Sequence, residues 1–339
     1  MNKQILFRAD GNSKIGLGHL YRVFAIIEML KENFECTLVT RSDSEISIIP
    51  KTYKVKLIPE EIDVKKEAMW LLKNFQIKLN IIIADGYTFN AAYQKKIKKI
   101  GYKLIYIDDL TTIQMYADFV VNHSLSVKPE HFTTKLKTRF GLGTKYAMLR
   151  PSFVEVAKSN KKAKNIEQVF VSFGGADFYD LTSKAVEALT HFKFINKIHV
   201  LIGAAYKHQN IFKIEKENNN IIIYNNLDEL GVLKLMKRTQ LAIIPASTIS
   251  YEVCSVKMLT ICGYFVDNQM SIYNGLKKYN TIIPAGDYTK YDVLRFKDVI
   301  NDALGINLKE QKLMLDNQKE LFDGNQKKRF LKIINTINL

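Results

Sequence analysis

Cysteine is scarce: three in 339 residues, at Cys36, Cys254 and Cys262. They have no metal-ligand spacing and read as small buried hydrophobes in a reducing compartment. No uninterrupted apolar run approaches membrane-spanning length, so no membrane insertion is expected. Met1-Asn2-Lys3-Gln4 leads straight into an apolar strand without a leader segment, which points to the cytoplasm. Histidine is sparse as well. His123, His131, His191, His199 and His208 form neither a triad spacing nor a metal pair. His191, His199 and His208 read as surface or packing residues, while His123 follows a strand end. A Gly-x-Ser-x-Gly elbow is missing, as is the Gly-Lys-Ser/Thr ending of a Walker loop. There is no internal repeat and no low-complexity segment. Acidic residues are outnumbered, 34 against 50 basic, for a formal charge of +16. The lysines are scattered, however, and the densest cluster, Lys158 to Lys164, reads as a solvated linker. No recognition motif with interleaved aromatics accompanies it, so nucleic acid is not the expected partner. An anionic small substrate fits the charge equally well.

What is there is alternation. Apolar strands are expected at Ile5–Arg8, Cys36–Arg41, Lys54–Ile58, Asn80–Ala84, Lys103–Ile107 and Phe119–Val121. Amphipathic helices fit at Leu20–Lys31, Val64–Phe75 and Ala91–Lys99. A second series has strands at Gln168–Phe173, Lys197–Ile202, Asn220–Tyr224, Leu241–Ile244 and Leu259–Cys262. Its helices fit at Asp180–Leu189, Leu227–Lys237, Ile249–Ser255 and Ser271–Lys278. The pattern predicts an α/β protein with two parallel, Rossmann-like sheets covered by helices. The polar stretch from Val156 to Glu167 is the expected linker. Residues 1–155 then form a first domain and 156–316 a second, with carboxyl edges that can face each other across a cleft. Residues 317–339 form a basic, mostly helical tail expected to pack back on the first domain.

Five segments carry candidate chemistry. Residues 8–22 read Arg-Ala-Asp-Gly-Asn-Ser-Lys-Ile-Gly-Leu-Gly-His-Leu-Tyr-Arg. Here a strand runs through a loop with Gly16 and Gly18 into a helix starting at about His19. Glycines let a ligand approach the backbone, helix N–H groups favour anions, and an imidazole there exchanges protons near neutral pH. The residues alone leave this open between a ligand loop and a structural turn. It is not the dinucleotide fingerprint, because no third glycine follows. Asp85 and Tyr87 end a second strand and Asp108-Asp109 a third; caps or turns are the plain alternative for each. Phe173-Gly174-Gly175-Ala176-Asp177 is a Gly-Gly turn able to present N–H groups to a diphosphate, or simply a tight turn. Ser247-Thr248-Ile249 opens a helix and is a second natural phosphate site, with Glu252 one turn in and able to accept from ribose hydroxyls. Asp267-Asn268-Gln269 suits sugar hydroxyls or a helix cap.

In order, these segments resemble one family: the UDP-2,4-diacetamido-2,4,6-trideoxy-β-L-altropyranose hydrolases of pseudaminic acid biosynthesis, with their spore-coat polysaccharide relatives. The resemblance runs through Arg8, Asp10, Gly16, Gly18, His19 and Arg22, then Asp85 and Tyr87, Ile107 to Asp109, and Asn122. It continues through Leu142 to Phe153, Ser172 to Asp177, Tyr251-Glu252, Asp267 to Gln269, and Asp323-Gly324 with Arg329. It implies a GT-B-like fold, as in the nucleotide-sugar glycosyltransferases related to the murein transferase. It also implies removal of UDP by water attack at the anomeric carbon, with inversion and with no metal or cofactor. Three departures stand out: Ser247 replaces the family's usual glycine, Phe178 replaces a common proline, and the chain is longer than the shorter members.

On this reading His19 is the base, Asp85 and Tyr87 hold the sugar or the water, and no metal ligand is expected. The UDP-sugar is bound by Arg8, Asp10, Gly16, Gly18, Arg22, Asn122, Phe173, Gly174, Gly175, Ser247, Thr248, Ile249, Glu252, Asn268 and Gln269. The alternatives are a glycosyltransferase on the same scaffold and a non-catalytic nucleotide-sugar-binding protein.

Overall fold

The computed structural model describes residues 4–12, 14–77, 80–135, 137–203, 205–225 and 227–337. Spatial contacts divide the chain into two units, Met1–Pro151 with Asn325–Leu339, and Ser152–Gly324. No helix among the described residues is long and apolar enough to cross a membrane.

Unit 1 is built on seven parallel strands: β1 (Gln4–Ala9), β2 (Glu35–Arg41), β3 (Lys54–Ile58), β4 (Asn80–Asp85), β5 (Lys103–Ile107), β6 (Phe119–Asn122) and β7 (Arg139–Leu142). Their spatial order is β3-β2-β1-β4-β5-β6-β7. The central strands are apolar on both faces, Ile5 to Phe7 and Ile81 to Ile83, because helices cover both sides of the sheet. The covering helices include α1 (Gly18–Leu30), α2 (Val64–Asn74) and α3 (Ala91–Ile100). The chain builds outward from β1 to β3, then returns through α2 to β4 on the other side of β1. Strand order therefore reverses between β1 and β4, which opens a crevice at their carboxyl ends.

Unit 2 starts with α4 (Pro151–Ala157), whose first residue is the last of unit 1, and repeats the scheme with β8 (Gln168–Val171), α5 (Leu181–Thr190), β9 (Lys197–Ile202), α6 (Asn210–Glu217) and β10 (Ile221–Asn225). It continues with α7 (Glu229–Arg238), β11 (Leu241–Pro245), α8 (Thr248–Val256), β12 (Leu259–Tyr264), α9 (Met270–Lys278), β13 (Ile283–Asp287), α10 (Val293–Gly305) and α11 (Leu308–Leu321). The sheet order is β10-β9-β8-β11-β12-β13, all parallel, with the reversal between β8 and β11.

The two-sheet α/β expectation matches this architecture; several details differ. β7 and β13 lie outside the expected strands. β7 is only Arg-Phe-Gly-Leu, and β13 carries Pro284 and Gly286, residues that argue against a strand except at an edge, where β13 sits. The domain boundary expected at 155/156 moves to 151/152. The reason is local: Lys257 Nζ donates to the carbonyls of Val156 (3.2 Å) and Ala157 (2.5 Å), tying α4 into unit 2. The returning tail begins at Asn325, not at residue 317. Gln318 donates from Nε2 to the carbonyls of Met258 and Thr281, both at 2.8 Å, so α11 stays in unit 2. Only the last helix, α12 (Gln326–Thr336), packs on α1. The lysine stretch is not simply a solvated linker either. Lys161 Nζ donates to the carbonyls of Met236 (3.3 Å) and Thr239 (2.8 Å), capping the carboxyl end of α7.

One close approach inside unit 2 governs the turn after β8. A Cβ on Gly203 would lie 2.6 Å from Gly175 Cα and 3.0 Å from its carbonyl oxygen. Neither backbone can yield without moving the Gly174-Gly175 turn. Gly203→Ala is therefore expected to lower stability by about 1–3 kcal/mol in urea unfolding, the usual cost of overpacking. Gly305→Ala, where an added Cβ meets nothing within 4 Å, is the control and should stay within about 0.5 kcal/mol.

Candidate active site

The reversal point of unit 1 gathers the first candidate residues. Gly16 has φ +81°, and its N–H donates to Asn12 O at 2.9 Å. Asn12 Oδ1 accepts from the N–H groups of Lys14 (3.0 Å) and Ile15 (3.2 Å), which folds the loop on itself. A Cβ on Gly16 or Gly18 would meet nothing within 4 Å, so the space beside this backbone is open. Leu17, at the N-cap of α1, provides no side-chain cap for the helix N–H groups.

His19 and Arg22 are three residues apart on α1 and share one face. Asp85, paired in register with Ala9, ends the neighbouring strand β4. Arg22 grips Asp85 with two parallel bonds, Nε to Oδ2 at 2.8 Å and Nη2 to Oδ1 at 2.6 Å. Its Nη1 donates to Asp109 Oδ1 at 2.6 Å. His19 Nδ1 lies 2.7 Å from Asp85 Oδ1 and 2.8 Å from Arg22 Nη2. Arg22 Nη2 already donates to Asp85 Oδ1 at 2.6 Å, so we assign the Nδ1 proton to the shorter contact, donated to Asp85, which leaves the lone pair on Nε2. The imidazole meets the Tyr87 ring edge-on, centroids 4.7 Å apart.

Charge is balanced tightly here. Burial works against the Arg22 cation, but Asp109 and Asp85 outweigh it and hold its pKa well above the ordinary value. Burial also opposes ionisation of Asp109, yet Arg22 prevails and keeps that carboxyl below the usual range. Asp108 goes the other way: burial raises it, only partly offset by the Thr111 N–H (2.9 Å) and Asn122 Nδ2 (3.2 Å) that it accepts. A cavity opens beside His19, bounded by Tyr87 and the segment from Asp108 to Ile113.

Several residues expected to touch substrate serve instead as supports. Arg8 is fully buried: its Nε and Nη2 donate to Glu67 at 2.7 and 2.9 Å, and its Nη1 to Asp10 at 2.5 Å. Its guanidinium also stacks 4.8 Å from the Phe89 centroid. Asp10 additionally accepts from Arg41 N (2.8 Å) and Thr40 Oγ1 (3.2 Å), so it braces the loop base. Asn122 is buried between Asp108 and the Ser124 N–H (2.9 Å). Arg22 spends its donors on Asp85 and Asp109. Glu67 escaped sequence reading; its one signal is a carboxylate on the otherwise apolar face that α2 shares with Ala68 and Leu71.

In unit 2 the reversal point brings Gly174-Gly175 and the start of α8 to adjacent strand ends. Gly174 has φ +89°, and a Cβ on either glycine would meet nothing within 4 Å. Asp177 accepts from the N–H groups of Leu181 (2.9 Å) and Thr182 (2.8 Å), so a carboxylate already occupies the amino end of α5. The Phe173 ring is core, edge-on to Tyr288 and Phe296; the expectation that it meets substrate fails for its side chain. Of the three N–H groups expected at Ser247-Thr248-Ile249, that of Ser247 is taken by Pro245 O at 2.9 Å. The Ser247 side chain does not cap α8. Glu252 is buried one turn further on, beside the core residue Tyr251. Gln269 Oε1 accepts from Phe265 N at 3.0 Å and anchors its turn, while Asn268 is exposed. Gly203 is a further missed residue, a bare glycine at a strand end.

No established family profile matches the chain. An uncharacterized Methanocaldococcus jannaschii protein is 28% identical over 290 residues, 81% of this chain but 58% of that protein, so the chain spans little more than half of it. The UDP-2,4-diacetamido-2,4,6-trideoxy-beta-L-altropyranose hydrolase of Campylobacter jejuni is 27% identical over 284 residues, 81% of this chain and 96% of its own length. The Bacillus subtilis spore coat polysaccharide biosynthesis protein SpsG is 27% identical over 252 residues, 72% of each chain. The chain resembles the altropyranose hydrolase and spore-coat family. Among solved structures, Acinetobacter baumannii MurG superposes with a TM-score of 0.63 at 10% identity, covering 98% of this chain and 99% of that one. Arabidopsis thaliana UGT89C1 gives 0.70 at 11% identity, covering all of both chains. The fold is thus GT-B-like.

The supporting network yields two expectations. Glu67→Gln leaves the buried Arg8 cation with Asp10 as its one remaining carboxylate, and should cost about 3–5 kcal/mol of stability in urea unfolding. His123, buried at the end of β6, has its pKa pushed down to about 4, first by burial and then by the Arg22 charge. An unfolded histidine titrates near 6.5, so between about pH 6.5 and 4 the unfolded chain binds the extra proton. The His123 contribution is therefore present above pH 6.5 and lost as pH falls towards 4. His123→Asn should flatten the stability–pH curve across that window.

Proposed function

We propose that the protein hydrolyses a UDP-activated 2,4-diacetamido-2,4,6-trideoxy sugar, releasing UDP and the free sugar with inversion at the anomeric carbon. The observation that carries this reading is the 2.7 Å His19 Nδ1–Asp85 contact beside the strand reversal of unit 1, and with the tautomer assigned above, Nε2 is the basic nitrogen. Nε2 takes a proton from water while the water oxygen bonds to the anomeric carbon. The bond from that carbon to the diphosphate oxygen breaks, and UDP leaves with the electron pair. Asp85 stabilises the imidazolium that forms, and the proton then passes to solvent. Tyr87, half exposed and edge-on to the imidazole, bounds the sugar's place.

The nucleotide is assigned to unit 2. Its diphosphate is met by backbone N–H groups of Gly174, Gly175, Thr248 and Ile249, donors fixed before the reaction begins. Glu252 is assigned to the ribose and Asn268 to a sugar hydroxyl. The name of the Campylobacter jejuni relative supports water as the attacking group. The solved glycosyltransferases of the same fold favour a second reading, in which an acceptor hydroxyl replaces water. UDP formed from donor alone, with a free reducing sugar, distinguishes the first from the second.

His19→Ala should lower the rate of UDP release about 10²- to 10⁴-fold while UDP still binds. Thr248→Pro tests the nucleotide end. Thr248 is the first residue of α8, a position that accepts proline, and Ser247 before it is extended (φ −134°, ψ −166°). The substitution deletes one N–H and should weaken UDP binding by about 1.5–3 kcal/mol in calorimetry, the worth of a bond to a charged group.

A further inference from the structure

The reading above places the sugar beside Tyr87 and the imidazole but assigns none of its substituents to the cavity that opens there. Its floor and sides combine Tyr87, Asp109, Leu110 and Ile113 with the imidazole. Leu110 is an exposed leucine three residues beyond β5, a strand buried along Leu104 to Ile107. The segment is held in a costly conformation. Thr111, a β-branched residue, has φ +56°, pinned by its N–H to Asp108 Oδ2 at 2.9 Å and its hydroxyl to Leu110 O at 2.7 Å. Asp108 is in turn fixed by its own N–H to Val121 O at 2.9 Å and by Asn122. The wall is therefore set in place before any ligand arrives.

The chemistry of the wall is mixed in a particular way. Asp109 Oδ1 is committed to Arg22 at 2.6 Å, while Oδ2 has only a long contact, 3.4 Å, with the Tyr87 hydroxyl. That oxygen keeps capacity for an N–H or O–H donor. The carboxylate charge is already answered by Arg22, so an ammonium group is not demanded. A hydroxyl would leave Leu110 and Ile113 facing water. A purely apolar group would bury a carboxylate oxygen without a partner. A secondary amide with a methyl group satisfies both surfaces at once.

We propose that this cavity is the subsite for an N-acetyl substituent of the sugar: the amide N–H is donated to Asp109 Oδ2, and the acetyl methyl is seated on Leu110 and Ile113. The assignment deepens the nucleotide-sugar reading and rests on it for the identity of the sugar. It makes the segment from Asp108 to Ile113 the part of the chain that distinguishes acylated from free amino sugars.

The test uses the full-length protein and three free sugars: a 2,4-diacetamido-2,4,6-trideoxyhexose, its 2,4-diamino counterpart and the parent 6-deoxyhexose. Saturation-transfer NMR should show the strongest transfer to the acetyl methyl protons, with the diacetamido sugar binding at least tenfold tighter than the other two. Ile113→Trp, which fills the cavity, should weaken that binding tenfold or more and leave UDP affinity unchanged. Leu110→Asn, at an exposed position, should weaken it severalfold and guards against misfolding of the tryptophan variant. Equal or tighter binding of the diamino sugar, no transfer to the methyls, or unaltered binding in both variants would overturn the proposal. UDP is titrated in parallel. Loss of UDP binding and release with acetyl selectivity intact would sink the hydrolase reading alone, and the reverse pattern would sink the subsite alone.

Discussion

One buried guanidinium organises the strand ends beside His19 in unit 1. Arg22 reaches from α1 to the ends of two adjacent strands, β4 and β5, and holds a carboxylate on each. It pairs with both at once, keeps the Asp109 carboxyl below the usual range against its burial, and fixes Asp85 where it can orient the imidazole. The orientation of His19 and the spare oxygen of Asp109 both follow from where this one side chain lies.

A second cation, Arg8, does a parallel task deeper in the same unit. It joins Asp10 to Glu67, and Tyr93 donates its hydroxyl to the same Glu67 carboxylate at 2.7 Å. Burying such a group is expensive unless it is paired and hydrogen-bonded, and here each of its three nitrogens donates to a carboxylate. What this network secures is the shape of the loop base under Gly16 and Gly18, where open backbone faces solvent. The two arginines of the opening motif are thus framework, and the histidine between them is the group to which the proposed chemistry is assigned.

Legibility from sequence followed physical scale. Strands such as Ile81 to Ile83 and helices such as α1 announce themselves because burial on both faces, or on one stripe, is written as local apolar pattern. The placement of His19, Asp85, Gly174 and Thr248 at strand ends followed from that pattern. What was not legible was pairing across distance. Arg8 and Arg22 look alike to a ligand-minded reader, since nothing local reveals that Glu67, 59 positions away, or Asp109, 87 away, will claim them. The same holds for Lys161 and Lys257, whose ammonium groups close helix ends far along the chain rather than facing water. β13 was hidden for the opposite reason, because Pro284 and Gly286 are tolerated only at the margin of a sheet.

The contact between residues 175 and 203 bears on how such a chain can change over generations. Room exists for a side chain at 175, whereas position 203 is sealed by the neighbouring main chain. Drift is therefore sterically permitted at the glycine that looks functional and forbidden at the one that looks incidental. Distant kin could lose the conspicuous doublet and still keep its geometry, provided the silent residue across from it is inherited unchanged.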